Sequence, residues 1–140
     1  MYSPTVTRTE IVLVVVRCGA EICLARRSQL VGTSRGLWSV VTGYLEPHVT
    51  PQAQASAELE EELGLRGSDV QLVRSLAPIE LTSPTSGKEF RVYPFLYDCD
   101  ASRQLVLNWE HDEVQWAQPE RLLAPDSVGW QLPLVRALLT

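Results

Sequence analysis

A helix-length segment, residues 51–63, stands mid-chain between stretches that read as β-strands, and no other feature restricts the fold as much. Thr50 followed by Pro51 offers an N-cap and a first-turn proline, and Gly64 before Leu65 offers a helix stop. Upstream, residues 10–18 form a nearly continuous β-branched run and residues 21–25 a shorter one; the Gly19-Ala20 turn between them predicts a hairpin. Residues 26–36, rich in Arg, Ser, Gly and Thr, read as a loop, and residues 37–42 as a short strand that Gly43 is expected to end. Downstream, residues 70–81 and 89–97 read as two strands that pair across a Ser-Pro and Ser-Gly turn segment. Residues 113–117 predict a last short strand, 119–123 a helical turn and 133–139 a terminal helix. Strands outnumber helices, yet a long helix lies between them, which favours a mixed sheet covered by helices over an all-β sandwich. The expected class is α/β or α+β. No linker or internal repeat divides the 140 residues, so one domain spanning 1–140 is expected.

Composition removes several kinds of function. The longest apolar run, Ile11 to Val16, is far short of the roughly 20 residues that a membrane-spanning helix requires. The first ten residues carry no apolar signal-peptide core, so a cytoplasmic location without membrane attachment is expected. Twelve basic against 17 acidic residues give a net charge of −5, which repels a nucleic-acid backbone and argues against a polymer partner. Cys18, Cys23 and Cys99 are odd in number, form no CxxC pair and lie in apolar segments, as reduced core thiols do. His48 and His111 lack zinc-ligand spacing to each other or to a cysteine, and His48 reads as a solvated loop residue.

The chemistry-bearing stretch is Ala57-Glu58-Leu59-Glu60-Glu61-Glu62-Leu63-Gly64-Leu65. Glu58, Glu61 and Glu62 are related as i, i+3 and i+4, which sets all three on one helix face. Like charges at that spacing repel, and near the C-terminal end the helix dipole disfavours them further. An oxygen-bound divalent cation, Mg²⁺ or Mn²⁺, compensates such a face; a solvated acidic surface is the plainer alternative.

With the preceding segment Trp38-Ser39-Val40-Val41-Thr42-Gly43, this helix resembles the Nudix hydrolase box. Gly43 matches its first glycine, and Glu58, Leu59, Glu61, Glu62, Gly64 and Leu65 match its second half position by position. Val49 and Ala57 depart from it, standing where the family carries a glutamate and an arginine that pair. Exchange of both partners for apolar groups reads as a substituted brace, since loss of only one would strand a charge. The resemblance implies an α/β/α fold, a mixed sheet sandwiched between helices, and Mg²⁺-dependent hydrolysis of a pyrophosphate bond by activated water. It implies Glu61 and Glu62 as metal ligands, Glu58 as a ligand or the base that orients water, and the Thr42 carbonyl as a further ligand. It also implies a small-molecule substrate; the oligomeric state stays open between monomer and homodimer, many relatives being dimers. The altered box keeps open an alternative, a nucleotide-binding or regulatory domain with impaired catalysis.

Ser39-Val40-Val41-Thr42-Gly43 and Glu110-His111, followed by Trp116, resemble dihydroneopterin triphosphate diphosphatases within that family, which widens the substrate class to pterin phosphates. Glu110 is thereby a candidate ligand or base, although Asp112 and Glu113 are equally acidic neighbours. Arg26, Arg27 and Arg35 flank the loop ahead of the box, where a guanidinium suits phosphate; Arg26 and Arg35 are the candidates taken from them, with solvent-exposed charge the alternative for each. Trp38, Tyr44, Phe90, Tyr93, Phe95, Tyr97, Trp109 and Trp116 include candidates to stack on a ring, and most belong in the core.

Overall fold

The computed structural model describes residues 8–84, 86–100 and 105–140; most of the N-terminal stretch read for a signal sequence lies outside them. The strands are β1 Thr9–Cys18, β2 Glu21–Arg27, β3 Trp38–Ser39, β4 Val41–Tyr44, β5 Val70–Ser75, β6 Ile79–Thr82, β7 Glu89–Cys99 and β8 His111–Ala117. The helices are α1 Pro51–Leu63 and α2 Leu132–Leu139, with short 3-10 turns at Pro119–Leu123 and Gly129–Gln131. All eight strands join one mixed sheet.

β1 is its axis. It runs parallel to β7 from the Thr9 and Phe90 pair to the Arg17 and Asp98 pair, and antiparallel to β2 and β4 on its other side. The β-branched run lacks polar alternation because both faces of β1 are covered. Val12, Val14 and Val16 pack with Ala55, Leu59 and Leu63 of α1. Leu13 and Val15 pack with Leu134, Val135 and Leu138 of α2. Leu13, Val15, Leu59, Leu63, Val135 and Leu138 are all at most 1% exposed, and each such burial stabilises by about 1.5–3 kcal/mol. The helix-covered mixed sheet agrees with the sequence expectation. Among the described residues, no helix is long and apolar enough to cross a membrane.

Element ends shift by one or two residues at β1, β2, β7, β8 and α2, and three differences from the sequence reading go further. Residues 70–81 form two strands rather than one: β5 pairs with 95–99 of β7 and β6 with 89–92. Pro78 lies in the break, and the facing Pro94 has no N–H to offer; its carbonyl accepts Leu76 N–H at 3.1 Å instead. Residues 37–42 also divide, β3 pairing with β2 and β4 with β1. Gly43 does not end a strand but lies within β4 opposite Val12.

Candidate active site

Local signals fix the helix that carries the acids. Thr50 Oγ1 accepts the Ala53 N–H at 3.2 Å, Pro51 occupies the first turn, and Gly64 closes the helix in the left-handed region at φ 70°. With Ala55, Leu59 and Leu63 turned to the sheet, Glu58 and Glu62 are drawn down with them: Glu58 is 8% exposed and Glu62 1%. Glu110, just ahead of β8, completes a cluster in which one carboxylate oxygen from each of Glu58, Glu62 and Glu110 lies within 4.8 Å of the others. The Glu110 loop is held by Glu110 N–H on Asn108 Oδ1 at 3.0 Å and by Ser28 N–H on the Glu110 carbonyl at 2.8 Å.

Among the described residues, neither carboxylate oxygen of Glu62 has a hydrogen-bond partner, and both are buried. His111 Nδ1 is 3.5 Å from Glu62 Oε1, and both imidazole nitrogens are likewise buried and unpartnered. Burial, with the field of Arg27 assisting, depresses His111 to about 4, so this ring is neutral and the contact is no ion pair. Burial pushes Glu62 up to about 11, and the neighbouring Glu58 and Glu110 push the same way. Orphaned oxygens in a buried triple-carboxylate site fit a divalent cation: it would supply the positive partner that the protein does not.

Gly43 is part of this construction. A Cβ there would overlap the Glu58 carboxyl carbon and Oε1 and would stand 2.6 Å from Cγ, so the carboxylate occupies the space a side chain would fill. Gln54, 4% exposed, ties the loop to the acid: its Oε1 accepts Glu46 N–H at 3.1 Å and its Nε2 donates to Glu58 Oε1 at 2.9 Å. The sequence reading passed over Gln54, although a glutamine one turn before Glu58 on the same face is the signal that marks it.

Glu61 is exposed and stands outside the three-carboxylate cluster. Partial burial and the negative field of Glu58, Glu110, Glu46 and Glu60 nevertheless raise its carboxyl above the ordinary range. Of the three downstream acids, Glu110 joins the cluster, whereas Asp112 and Glu113 pair with Arg26 at 2.8 and 3.1 Å.

A cavity of about 510 Å³ opens against Thr42, Gly43 and Glu110. Of the three arginines that flank the loop in sequence, the two taken as phosphate candidates, Arg26 and Arg35, do not line it. Arg26 is held by its two acids with its guanidinium 5.9 Å from the centre of the Trp38 ring, and Arg35 Nε donates to the Val31 carbonyl at 2.6 Å. Arg27 lines the cavity instead, because adjacent strand residues point to opposite faces, and its Nε donates to the Thr33 carbonyl at 2.9 Å. Lys88 adds a second cation, and Tyr44, Phe90 and Trp130 add aromatic wall. Trp130 and Lys88 were not anticipated, since they come from turns that only the tertiary fold brings to the site.

The NUDIX domain family model matches residues 7–138. No curated protein sequence matches the chain. Among solved structures, a C. elegans Ap4A hydrolase superposes with a TM-score of 0.73 at 18% identity, covering 94% of this chain and 97% of that one. A MutT protein from Methanosarcina mazei gives 0.74 at 19%, covering 97% and 96%. The E. coli dihydroneopterin triphosphate pyrophosphohydrolase gives 0.71 at 18%, covering 97% and 99%. The structural likenesses concern the fold; the family match, which takes in β1 through α2, concerns the chain itself. The chain belongs to the Nudix family, and the chemistry that membership carries is a pyrophosphohydrolase's cleavage of a phosphoanhydride bond.

Proposed function

We propose that residues 1–140 act as one Nudix domain that hydrolyses a pyrophosphate bond in a small nucleotide-linked or dihydroneopterin triphosphate-like substrate, with Mg²⁺ or Mn²⁺. The reading is carried by Glu62, whose two buried oxygens, beside Glu58 and Glu110, have no hydrogen-bond partner among the described residues. Those three carboxylates would hold the cation, with Glu61 and the Thr42 carbonyl as further donors. When bound, a divalent cation neutralises phosphate charge and makes water a stronger nucleophile.

The chain's own residues supply the rest. Arg27 and Lys88 bring positive charge to the cavity of a protein whose net charge is −5, and they suit phosphate oxygens. Phe90 and Trp130 offer flat apolar surface for a base or pterin ring. Gln54 and Gly43 hold the Glu58 carboxylate in its place, and Glu58 and Glu61 are the candidates to accept the proton of the attacking water. The printed names of the Ap4A hydrolase and the dihydroneopterin triphosphate pyrophosphohydrolase support a small phosphorylated substrate. Val49 and Ala57 favour the second reading, a binding or regulatory domain with weakened catalysis.

The test is phosphate and pyrophosphate release from nucleoside triphosphates, dinucleotides, nucleotide sugars and dihydroneopterin triphosphate, with Mg²⁺ or EDTA. Wild type, Glu61→Gln and Glu62→Gln are compared. Metal-dependent turnover that Glu62→Gln abolishes supports the hydrolase; a folded wild type inert to the whole panel shifts the assignment to the binding domain.

A further inference from the structure

The cavity beside the carboxylates contains one buried polar group that phosphate chemistry leaves unused. Gln131 closes the turn ahead of α2, is 2% exposed and lines this cavity. Its amide has a fixed orientation, because Oε1 accepts the Val40 N–H at 2.9 Å in a buried contact. Turning the amide over would set its NH₂ against that N–H, donor to donor, and leave the Val40 N–H unpaired. The free end of the side chain is therefore Nε2, whose two N–H groups have no hydrogen-bond partner among the described residues.

We propose that Gln131 reads the substrate's ring, selecting a fused heteroaromatic with a carbonyl oxygen beside a ring-nitrogen acceptor over the counterpart that carries an amine there. The proposal rests on the cavity being the site of a ring-bearing phosphoanhydride. A 6-oxopurine edge presents O6 and N7, both acceptors, whereas a 6-aminopurine presents an N6 donor beside N7. A glutamine with both ends free accepts from N6 and donates to N7; here the Val40 N–H holds the oxygen in a buried contact, and the end left without a partner is the Nε2 donor. An amine brought against it leaves donors facing donors, the arrangement that discriminates most strongly. Phe90 and Trp130 share the cavity and supply faces for the same ring, while Arg27 and Glu110 bound its phosphate side.

ITP and ATP share a triphosphate and sugar and differ at ring position 6, so the ratio of their kcat/KM values reads the contact. The expected ratio favours ITP by about 10- to 100-fold. GTP and dihydroneopterin triphosphate both carry the carbonyl edge, and the faster of the two identifies the ring as purine or pterin. Gln131→Glu keeps an acceptor for the Val40 N–H and turns the free end into a second acceptor; it is expected to reverse the ratio toward ATP, which a purely structural role would not do. A wild-type ratio within about twofold of unity overturns the proposal, as does a folded Gln131→Glu with an unchanged ratio. If Gln131→Glu does not fold, the wild-type ratio decides alone. If no triphosphate is hydrolysed, the hydrolase reading fails separately, and calorimetric binding of the same four compounds in EDTA decides: tighter ITP than ATP supports the ring contact, and equal affinity overturns it.

Discussion

Gly43→Ala separates positioning of the site from stability of the fold. Gly43 is outside the left-handed region that glycine alone tolerates easily, so an alanine meets no backbone strain in β4 and gains about 0.5–1 kcal/mol from lower chain entropy. The cost arises at the Glu58 carboxyl, which the new methyl overlaps. Overpacking of this kind costs about 1–3 kcal/mol, so the net loss of stability is about 0–2.5 kcal/mol. The site suffers more. To clear the methyl, the Glu58 carboxylate must leave its 2.9 Å contact with Gln54 and its place beside Glu62 and Glu110. A hydrogen bond to a charged group is worth about 1.5–3 kcal/mol, and about 1.4 kcal/mol is tenfold in rate. The expected loss in kcat/KM is therefore about 10- to 100-fold, with weaker Mg²⁺ affinity and only a small change in the urea midpoint. Pyrophosphate release, a Mg²⁺ titration and urea unfolding measure the three quantities on one preparation. Activity and Mg²⁺ affinity both within about twofold of wild type would refute the claim that Gly43 is small for the sake of Glu58.

Removal of metal should be visible as heat stability. Mg²⁺ at about 100 times its Kd adds about 2.7 kcal/mol, which for a chain of this size is about 5–10 °C in Tm over the EDTA sample. Glu62→Gln should erase that difference, and a metal shift retained in the variant would remove Glu62 from the ligand set. Restoring the box charges as Val49→Glu together with Ala57→Arg should be milder than either change alone, and additive unfolding free energies in the cycle would contradict a substituted brace. Burial pushes the Cys23 thiol up to about 12 with help from Cys99, whereas Cys18 is partly exposed. Iodoacetamide on the native protein at pH 8 should therefore mark Cys18 well before Cys23, as peptide mass mapping will show.

Features encoded by neighbours along the chain were legible in the sequence, and those that need the sheet were not. Helix α1 begins and ends as read, since Thr50, Pro51 and Gly64 act within a turn of themselves. The spacing of Glu58 and Glu62 likewise survives from helix geometry to buried cluster. The register at Glu110 stayed open because Asp112 and Glu113 are chemically equivalent in sequence, and only the pairing of β8 with β2 hands them to Arg26. Arg26 and Arg27 could not be told apart for a related reason: they lie on opposite faces of β2, and only the assembled sheet shows which face borders the cavity. The strand read over residues 70–81 hid the break at Pro78, because Pro94, which faces the chain at Leu76 beside that break, is remote in sequence. Gln131 and Trp130 belong to a turn with no periodicity, and their function depends on Val40 and on a cavity that no local pattern announces.

The parallel pairing of β1 with β7 also sets a schedule for synthesis. Val12 faces Tyr93 across the ladder, so the most apolar strand leaves the ribosome about eighty residues before its partner exists. At about 5–20 residues per second that is roughly 4–16 s during which a β-branched segment has β2, β4 and, once made, α1 to shield it, but not the long parallel partner on its other edge. The strand that anchors the finished sheet is thus the segment most prone to aggregate on the nascent chain. Any slowing of translation between α1 and β7 lengthens that exposure without changing a single contact in the native protein.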